Sequence, residues 1–227
     1  MTVLPQASLF LGIIPALVLL FIGLKGYDEL YKEKNIFLTF IIGIVMGFIA
    51  AFVQSFYPLA IIYIILLAFF DQLIKIIVLN IGRLRGKRET AIYGMSLGLG
   101  FGSSFTPILL IAVSKLITND VYVLSSIAIG SIGIILFHGA TGAYIGYGIY
   151  IREMTKHLLI AVILQLPFSL ILGMTITYST PESLNVQLGF AAGLIMYGGV
   201  VFWYVIKKIM PQLLTQSRKG KRAAKME

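Results

Sequence analysis

An acidic and a basic residue lie one helical turn apart inside an apolar stretch of this sequence. Asp71 and Lys75 belong to residues 58–80, a run made almost wholly of Ile, Leu, Ala, Phe and Val. A charge near the centre of a bilayer costs at least about 2.5–3.5 kcal/mol, so such residues need a partner or a function. Since residues i and i+4 share one helical face, the spacing predicts a direct ion pair. Alternatively, the long side chain of Lys75 extends to the membrane surface.

Other polar residues fall at a similar depth in the neighbouring apolar runs. At about 1.5 Å per helical residue, each lies between mid-membrane and the basic end of its run. Each alone is a common interhelical hydrogen-bonding group, but together at one depth they predict a polar cavity. We expect Asp71 and His138 to be its candidate catalytic residues. The supporting positions are Gln72, Lys75, Ser103, Ser104, Thr141 and Gln165.

A metal site is not predicted from these residues. Zinc-type sites need about three or more His, Cys or carboxylate ligands. The chain has no cysteine, and Asp71 and His138 are the two strong ligands within the membrane, since His157 lies at the interface and would have to turn inwards. A divalent metal bound there would be under-ligated, so no cofactor is expected.

The composition predicts an all-α, polytopic integral membrane bundle rather than a soluble domain. Of the 227 residues 59% are apolar, and the mean hydropathy is +0.96. Long apolar runs recur along the chain without the alternation of transmembrane β-strands. The fifth run, residues 121–151, would measure about 46 Å as one helix against a core of about 30 Å, so it must tilt, protrude or break near residues 139–142. The seven runs cover residues 3–24, 36–53, 58–80, 90–113, 121–151, 157–177 and 186–206.

Basic residues are concentrated on one side of this predicted bundle. The connections after runs one, three and five hold 3, 4 and 2 Lys or Arg, and the tail holds 7, whereas the other connections and the N-terminus together hold 1. By the positive-inside rule the N-terminus lies outside and the C-terminus in the cytoplasm of a multi-pass protein of the cell membrane. Residues 1–210 then form a seven-helix transmembrane domain, and residues 211–227 form a basic cytoplasmic tail. The net charge of +9 is thereby explained by topology: the tail would attract anionic lipid, and no nucleic-acid binding is predicted.

Glycines recur every four residues in two of the runs. Gly94, Gly98 and Gly102 lie in the fourth run, and Gly142 and Gly146 lie in the fifth. Small residues at this spacing let two helices approach closely, so the two runs are predicted to pack against each other.

The order of these motifs resembles the PrsW family of intramembrane proteases, which belongs to the larger clan of CAAX-prenyl and bacteriocin-processing (CPBP) proteases. The resemblance covers residues 68–169 and is carried by Asp71-Gln72-x-x-Lys75, by the glycine-rich residues 93–101 and by His138-Gly-Ala-Thr141. In the family the first motif is Glu-Glu-x-x-Lys, a Glu follows the glycine-rich stretch, and two later spans each supply a His. The first Glu acts as a general base on water, and the other residues position the water, the scissile carbonyl or a metal.

Matched position by position, the chain keeps Lys75 and His138 but departs from the family's acids. An Asp in place of the first Glu withdraws the base by more than about 1 Å, a displacement that can cost about 100-fold in rate. Gln cannot ionise, and Phe offers no polar group at all. The replacements are Asp71 and Gln72 for the two Glu, Phe105 for the later Glu, and Gln165 for the second His.

The resemblance therefore implies a protease homologue that is weakly active or inactive, a pseudoprotease that binds membrane proteins or peptides within the lipid bilayer. If it is active, Asp71 is the base, and His138 orients water or stabilises the oxyanion. The alternative is a membrane subunit of a larger complex, or a small-solute transporter with a polar intramembrane cavity.

Overall fold

The computed structural model describes residues 4–56, 60–108, 121–178 and 183–214. Its elements are helices, and the described residues contain no strand, which confirms the all-α prediction. A short 3-10 helix, Asp28–Leu30, joins the first two long helices, and a π-helical segment, Val205–Ile209, continues the last one. The long helices are α1 (Leu4–Leu24), α2 (Glu33–Gln54), α3 (Ile61–Leu79), α4 (Glu89–Ser103), α5 (Val121–Tyr150), α6 (Met154–Thr177) and α7 (Leu184–Tyr204).

Five segments in the described part of the chain are long and apolar enough to cross a membrane. The segments are Glu33–Gln54, Ile61–Leu79, Ser125–Tyr150, Met154–Thr177 and Asn185–Leu214. These five indicate a membrane protein, as the hydropathy predicts. The described apolar part of α1 and the 15 residues of α4 are shorter. Residues 109–113 of the predicted fourth run lie outside the described residues.

Helix α4 is the central helix of the bundle. Every residue from Thr90 to Ser103 is buried, and α1, α2 and α5 pack around it. A Cβ added to Gly98 would lie 1.9 Å from the carbonyl oxygen of His138, and one added to Gly43 of α2 would lie 2.2 Å from that of Leu97. Only the absence of a side chain allows these backbones to approach so closely. The predicted packing of the fourth run against the fifth is confirmed.

A break in the fifth run near residues 139–142 does not occur. Helix α5 is continuous from Val121 to Tyr150. Its glycines are used for packing instead, since a Cβ on Gly142 would lie 2.1 Å from the carbonyl oxygen of Gly94. At 30 residues the helix is about 45 Å long, which is more than the thickness of the hydrocarbon core. In a bilayer it must therefore tilt or protrude.

The packed part of the chain extends beyond residue 210, where the tail was predicted to begin. Residues 211–214 are helical, and the side chain of Leu213 is fully buried in the main hydrophobic core. The hydroxyl of Tyr147 in α5 donates a hydrogen bond to Oε1 of Gln212. The first four residues of the predicted tail therefore belong to the bundle, because they bury an apolar side chain and satisfy a polar one. Residues 215–227 lie outside the described residues.

Candidate functional site

Most of the polar residues singled out in the sequence meet in one hydrogen-bonded network inside the bundle. Helix α3 supplies three of them, α5 supplies two and α6 supplies one. Their side chains are 0–3% exposed, so the network is shielded from solvent and lipid. A seventh member, Gln54, comes from the last turn of α2 and is half-buried. The six predicted members are Asp71, Gln72, Lys75, His138, Thr141 and Gln165.

The carboxylate of Asp71 is held by two neutral amides. Nε2 of Gln54 donates to Oδ1 and Oδ2 of Asp71 at 3.0 and 3.1 Å, and Nε2 of Gln165 donates to Oδ2 of Asp71 at 2.5 Å. Hydrogen bonds from α2 and α6 therefore compensate for the water that the carboxylate loses on burial. Gln54 stands at the edge of the network and covers the acid from that side.

The ammonium group of Lys75 is saturated by acceptors. Nζ donates to Oε1 of Gln72 at 3.1 Å and to Oγ1 of Thr141 at 2.8 Å, and it lies 2.9 Å from Nδ1 of His138. An ammonium has three N–H donors and no lone pair, so each of its protons has a partner. It follows that Nδ1 of His138 accepts a hydrogen bond and that the neutral ring carries its proton on Nε2. Nζ also lies 5.2 Å from the centroid of the Phe101 ring.

The predicted direct ion pair between Asp71 and Lys75 is replaced by a bridge of two amides. Lys75 donates to Gln72, Gln72 donates to Oε1 of Gln165, and Gln165 donates to Asp71. Each amide thus turns its oxygen towards the cation and its N–H towards the anion, which aligns both dipoles with the field of the two charges. The direct pair was expected from spacing on α3 alone, but α5 and α6 offer each charge better-placed partners.

The His138 ring lies among aromatic side chains. It stacks on Phe105 with centroids 5.2 Å apart at 23°, and the centroid of Phe101 is 4.9 Å away. Phe137 and Phe168 approach with T-shaped geometry. Phe105 occupies the position at which the resemblance places a Glu, so this side of the histidine faces an apolar ring and not a carboxylate.

Ser103 and Ser104 do not join the network. The hydroxyl of Ser103 donates to the carbonyl oxygen of Gly100 at 2.7 Å, and that of Ser104 donates to the carbonyl oxygens of Ile44 and Gly100 at 2.7 and 3.2 Å. Their predicted role in a cavity is therefore not supported, because a helical serine can satisfy its hydroxyl on nearby backbone.

The predicted polar cavity is instead a packed cluster of side chains that bond to one another. The structure shows cavities elsewhere. One of about 790 Å³ lies where α3, α5 and α6 end or begin, and one of about 20 Å³ lies among α5, α6 and α7. Neither is lined by a member of the network.

Sequence reasoning missed Gln54. It ends an apolar helix and was assigned to an uncharged connection. The available signal was that Gln54 is the one amide side chain at this end of the second run, next to the span that carries Asp71. Because helix rotation decides whether such a residue faces inwards, the position alone did not reveal its contact.

The residues present do not fit a catalytic metal. In the part of the chain that the structure describes, no three His, Cys, Asp or Glu side chains are grouped to hold one. The resemblance would require acids or histidine where Gln72, Phe105 and Gln165 stand. Moreover, a cationic ammonium already uses Nδ1 of His138, and its charge would repel a divalent ion at the same place.

No family model, curated protein or solved structure matches this chain. The resemblance to the PrsW family therefore rests on the quoted motifs alone.

Proposed function

We propose that this protein is a PrsW-like pseudoprotease, a membrane protein that binds transmembrane segments of other proteins or peptides without cleaving them. The observation that carries the proposal is the closed network around Asp71 and His138. Both candidate catalytic groups are committed to protein partners, and the polar groups that would surround a hydrolytic water are joined to one another.

The geometry is unsuited to general-base catalysis. A base must lie within about 2.6–3.2 Å of the water or group that it deprotonates. The oxygens of Asp71 instead accept three amide hydrogen bonds, and Nδ1 of His138 accepts one from an ammonium. Nδ1 therefore cannot take up a proton unless Lys75 first moves away. Hydrolysis would require the network to open at two places at once.

Binding is supported by the uneven burial of α3. From Ala68 onwards this helix turns buried residues towards the bundle, whereas none of residues 61–67 is buried. Ile61, Ile62 and Leu66 are 78, 57 and 56% exposed. In a membrane this half of the helix offers an apolar face to another helix, and Gln54, which bonds to Asp71, is the half-buried member of the network. A polar residue on the incoming helix could replace the amide as a partner of Asp71.

Seven spans with the N-terminus outside and the C-terminus in the cytoplasm of the cell are part of the proposal. The support is the distribution of Lys and Arg, which favours one side of the bundle. The chain has no cysteine, so single cysteines placed in each connection can be labelled without background. Labelling by a membrane-impermeant maleimide should alternate between the two sides. Labelling of two successive connections from the same side would contradict the seven-span topology.

Crosslinking and cleavage can be measured together in one reconstituted system. A photo-reactive residue replaces Ile62 of α3 or, as a matched lipid-facing control, Val200 of α7, which is 66% exposed. The full chain in proteoliposomes is then offered transmembrane peptides. We expect intact peptide crosslinked from position 62 in clear excess over position 200.

Two results would contradict the proposal. Equal crosslinking from both positions would mean that the exposed half of α3 is ordinary lipid-facing surface. Peptide cleavage that disappears in Asp71→Ala and in His138→Ala would show an active protease. Co-purification of one stoichiometric protein, with no peptide binding, would favour the membrane-subunit alternative.

A further inference from the structure

A cavity that shares no lining residue with the polar network lies at the basic end of the bundle. It has a volume of about 790 Å³ and is formed by three stretches of chain. They are the end of α3 with the loop that follows it, the end of α5, and the first turn of α6. Because all three stretches lie at the termini of long apolar helices, the cavity would open at the level of the headgroups in a bilayer that these helices span.

The lining of the cavity contains both basic and apolar side chains. Arg85, Arg152 and Lys156 line it, and Glu153 is its only acidic lining residue. Glu153 is neutralised by Lys156, with 3.1 Å between the charged atoms, which leaves two guanidinium groups without an acidic partner in the lining. Guanidinium groups match phosphate oxygens in geometry as well as charge.

The first turn of α6 adds backbone donors to the same cavity. Met154 and the two residues after it line the cavity, and the N-cap residue Glu153 makes no capping hydrogen bond through its side chain. The N–H groups of a first helical turn lack partners within the helix, and they carry the positive end of the helix dipole. Such donors beside guanidinium groups suit a phosphate.

The backbone of Arg152 is in the left-handed region, with φ of 64°. A residue with a side chain adopts this conformation only at a cost in free energy. Glycine would accept it without strain, so replacing Arg152 by Gly removes the guanidinium while keeping the loop. This position therefore allows the charge to be tested without the risk of unfolding the protein.

We propose that this cavity binds a phosphate-bearing anion, held by Arg85, Arg152, Lys156 and the N-terminus of α6. The apolar side chains of Ile149 and Met154, which also line the cavity, would contact the part of the ligand next to the phosphate. Two sources have this chemistry: the headgroup of an anionic phospholipid and a soluble phosphate. The site does not depend on the function proposed above, because it shares no residue with the network.

The test is native mass spectrometry of the full-length protein in detergent. The protein is titrated with phosphatidylglycerol or with phosphatidylcholine of the same acyl chains, and separately with inorganic phosphate as a competitor. A basic residue that holds the anion in the cavity should contribute about 1 kcal/mol, as one next to an anionic membrane does, which corresponds to about fivefold in binding. We therefore expect Arg152→Gly to weaken phosphatidylglycerol binding about fivefold, and the triple variant Arg85→Gln, Arg152→Gly, Lys156→Gln to weaken it about 100-fold.

Lys207 and Lys208 provide the matched control, since they are exposed in the π-helical segment that continues α7 and do not line the cavity. Their double replacement by Gln should change binding by less than fivefold. Phosphate that displaces the lipid, or binds without it, would identify a soluble ligand, and lipid binding that phosphate does not affect would identify the headgroup. The proposal is wrong if the triple variant binds both probes as the unmodified protein does, or if the Lys207 and Lys208 variant loses as much.

Discussion

Removing the two buried charges of the network, singly and together, tests whether they act as a pair across the amide bridge. Lys75→Met leaves the carboxylate of Asp71 buried without a counter-charge, and Asp71→Asn leaves the ammonium in the same condition. Loss of one partner from a buried pair typically costs about 3–5 kcal/mol in the free energy of unfolding. Residues at i and i+4 on a helix have Cβ atoms about 6 Å apart, and two charges at that distance attract by about 3 kcal/mol at an effective dielectric constant of about 20. The double variant should therefore cost about 3 kcal/mol less than the sum of the single variants.

Reversible unfolding of the full-length protein in mixed micelles, followed by circular dichroism, gives the three free energies. Lys156→Met is the control, because its partner Glu153 is also exposed, with 66 and 49% of the two side chains accessible. An exposed pair of this kind should change the free energy by less than about 1 kcal/mol. The reasoning is refuted if the loss of stability in the double variant equals the sum of the losses in the two single variants. The charges would then not interact across Gln72 and Gln165. A stable double variant with unchanged peptide binding would show that the network only holds helices together.

Two further predictions concern the packing around α4. Gly98→Ala should lower the free energy of unfolding by about 3 kcal/mol, because the new Cβ meets the carbonyl oxygen of His138 and two helix backbones must separate. Gly189→Ala, which meets nothing within 4 Å, should be neutral or stabilising, and similar losses at the two positions would contradict the packing argument. Tyr93→Phe should cost about 1–2 kcal/mol in the same assay, because the hydroxyl accepts a hydrogen bond from Nδ2 of Asn35 at 3.2 Å, and an unchanged stability would mean that water replaces this acceptor.

Hydropathy and helix geometry predicted six of the seven polar residues that meet in the network. A run of apolar residues fixes where a helix enters the membrane, and the rise of about 1.5 Å per residue then fixes the depth of each position. For this reason Asp71, His138 and Gln165, which are far apart in sequence, were expected at one depth, and the structure joins them in one network. The ends of the predicted apolar runs also lie within a few residues of the observed helix ends, wherever the structure describes the residues at both.

Rotation of each helix about its axis was not predictable in the same way. Ser103 and Ser104 have the right depth, but their hydroxyls bond to backbone carbonyls, whereas Gln54 faces inwards from the end of α2. Depth depends on composition summed over a run, whereas rotation depends on which side chains fit against a neighbour. The glycines of α5 illustrate the same limit. Their flexibility suggested a break, but their small size is what lets α4 and α5 meet.

The residues at which the chain departs from the PrsW motifs include those that close the network. Gln72 accepts a hydrogen bond from Lys75 and donates one to Gln165, and an ionised Glu could only accept. With Glu at that position, Oε1 of Gln165 would lose its donor, and a second carboxylate would lie next to Asp71 with the same ammonium to share. A carboxylate in place of Phe105 would likewise bring charge against the His138 ring, which now stacks on an apolar ring. In this chain the two amides bond to each other and to the two charged groups, and the phenyl ring of Phe105 stacks on His138. Such a network fits the proposed binding of a partner, through hydrogen bonds, better than it fits general-base catalysis.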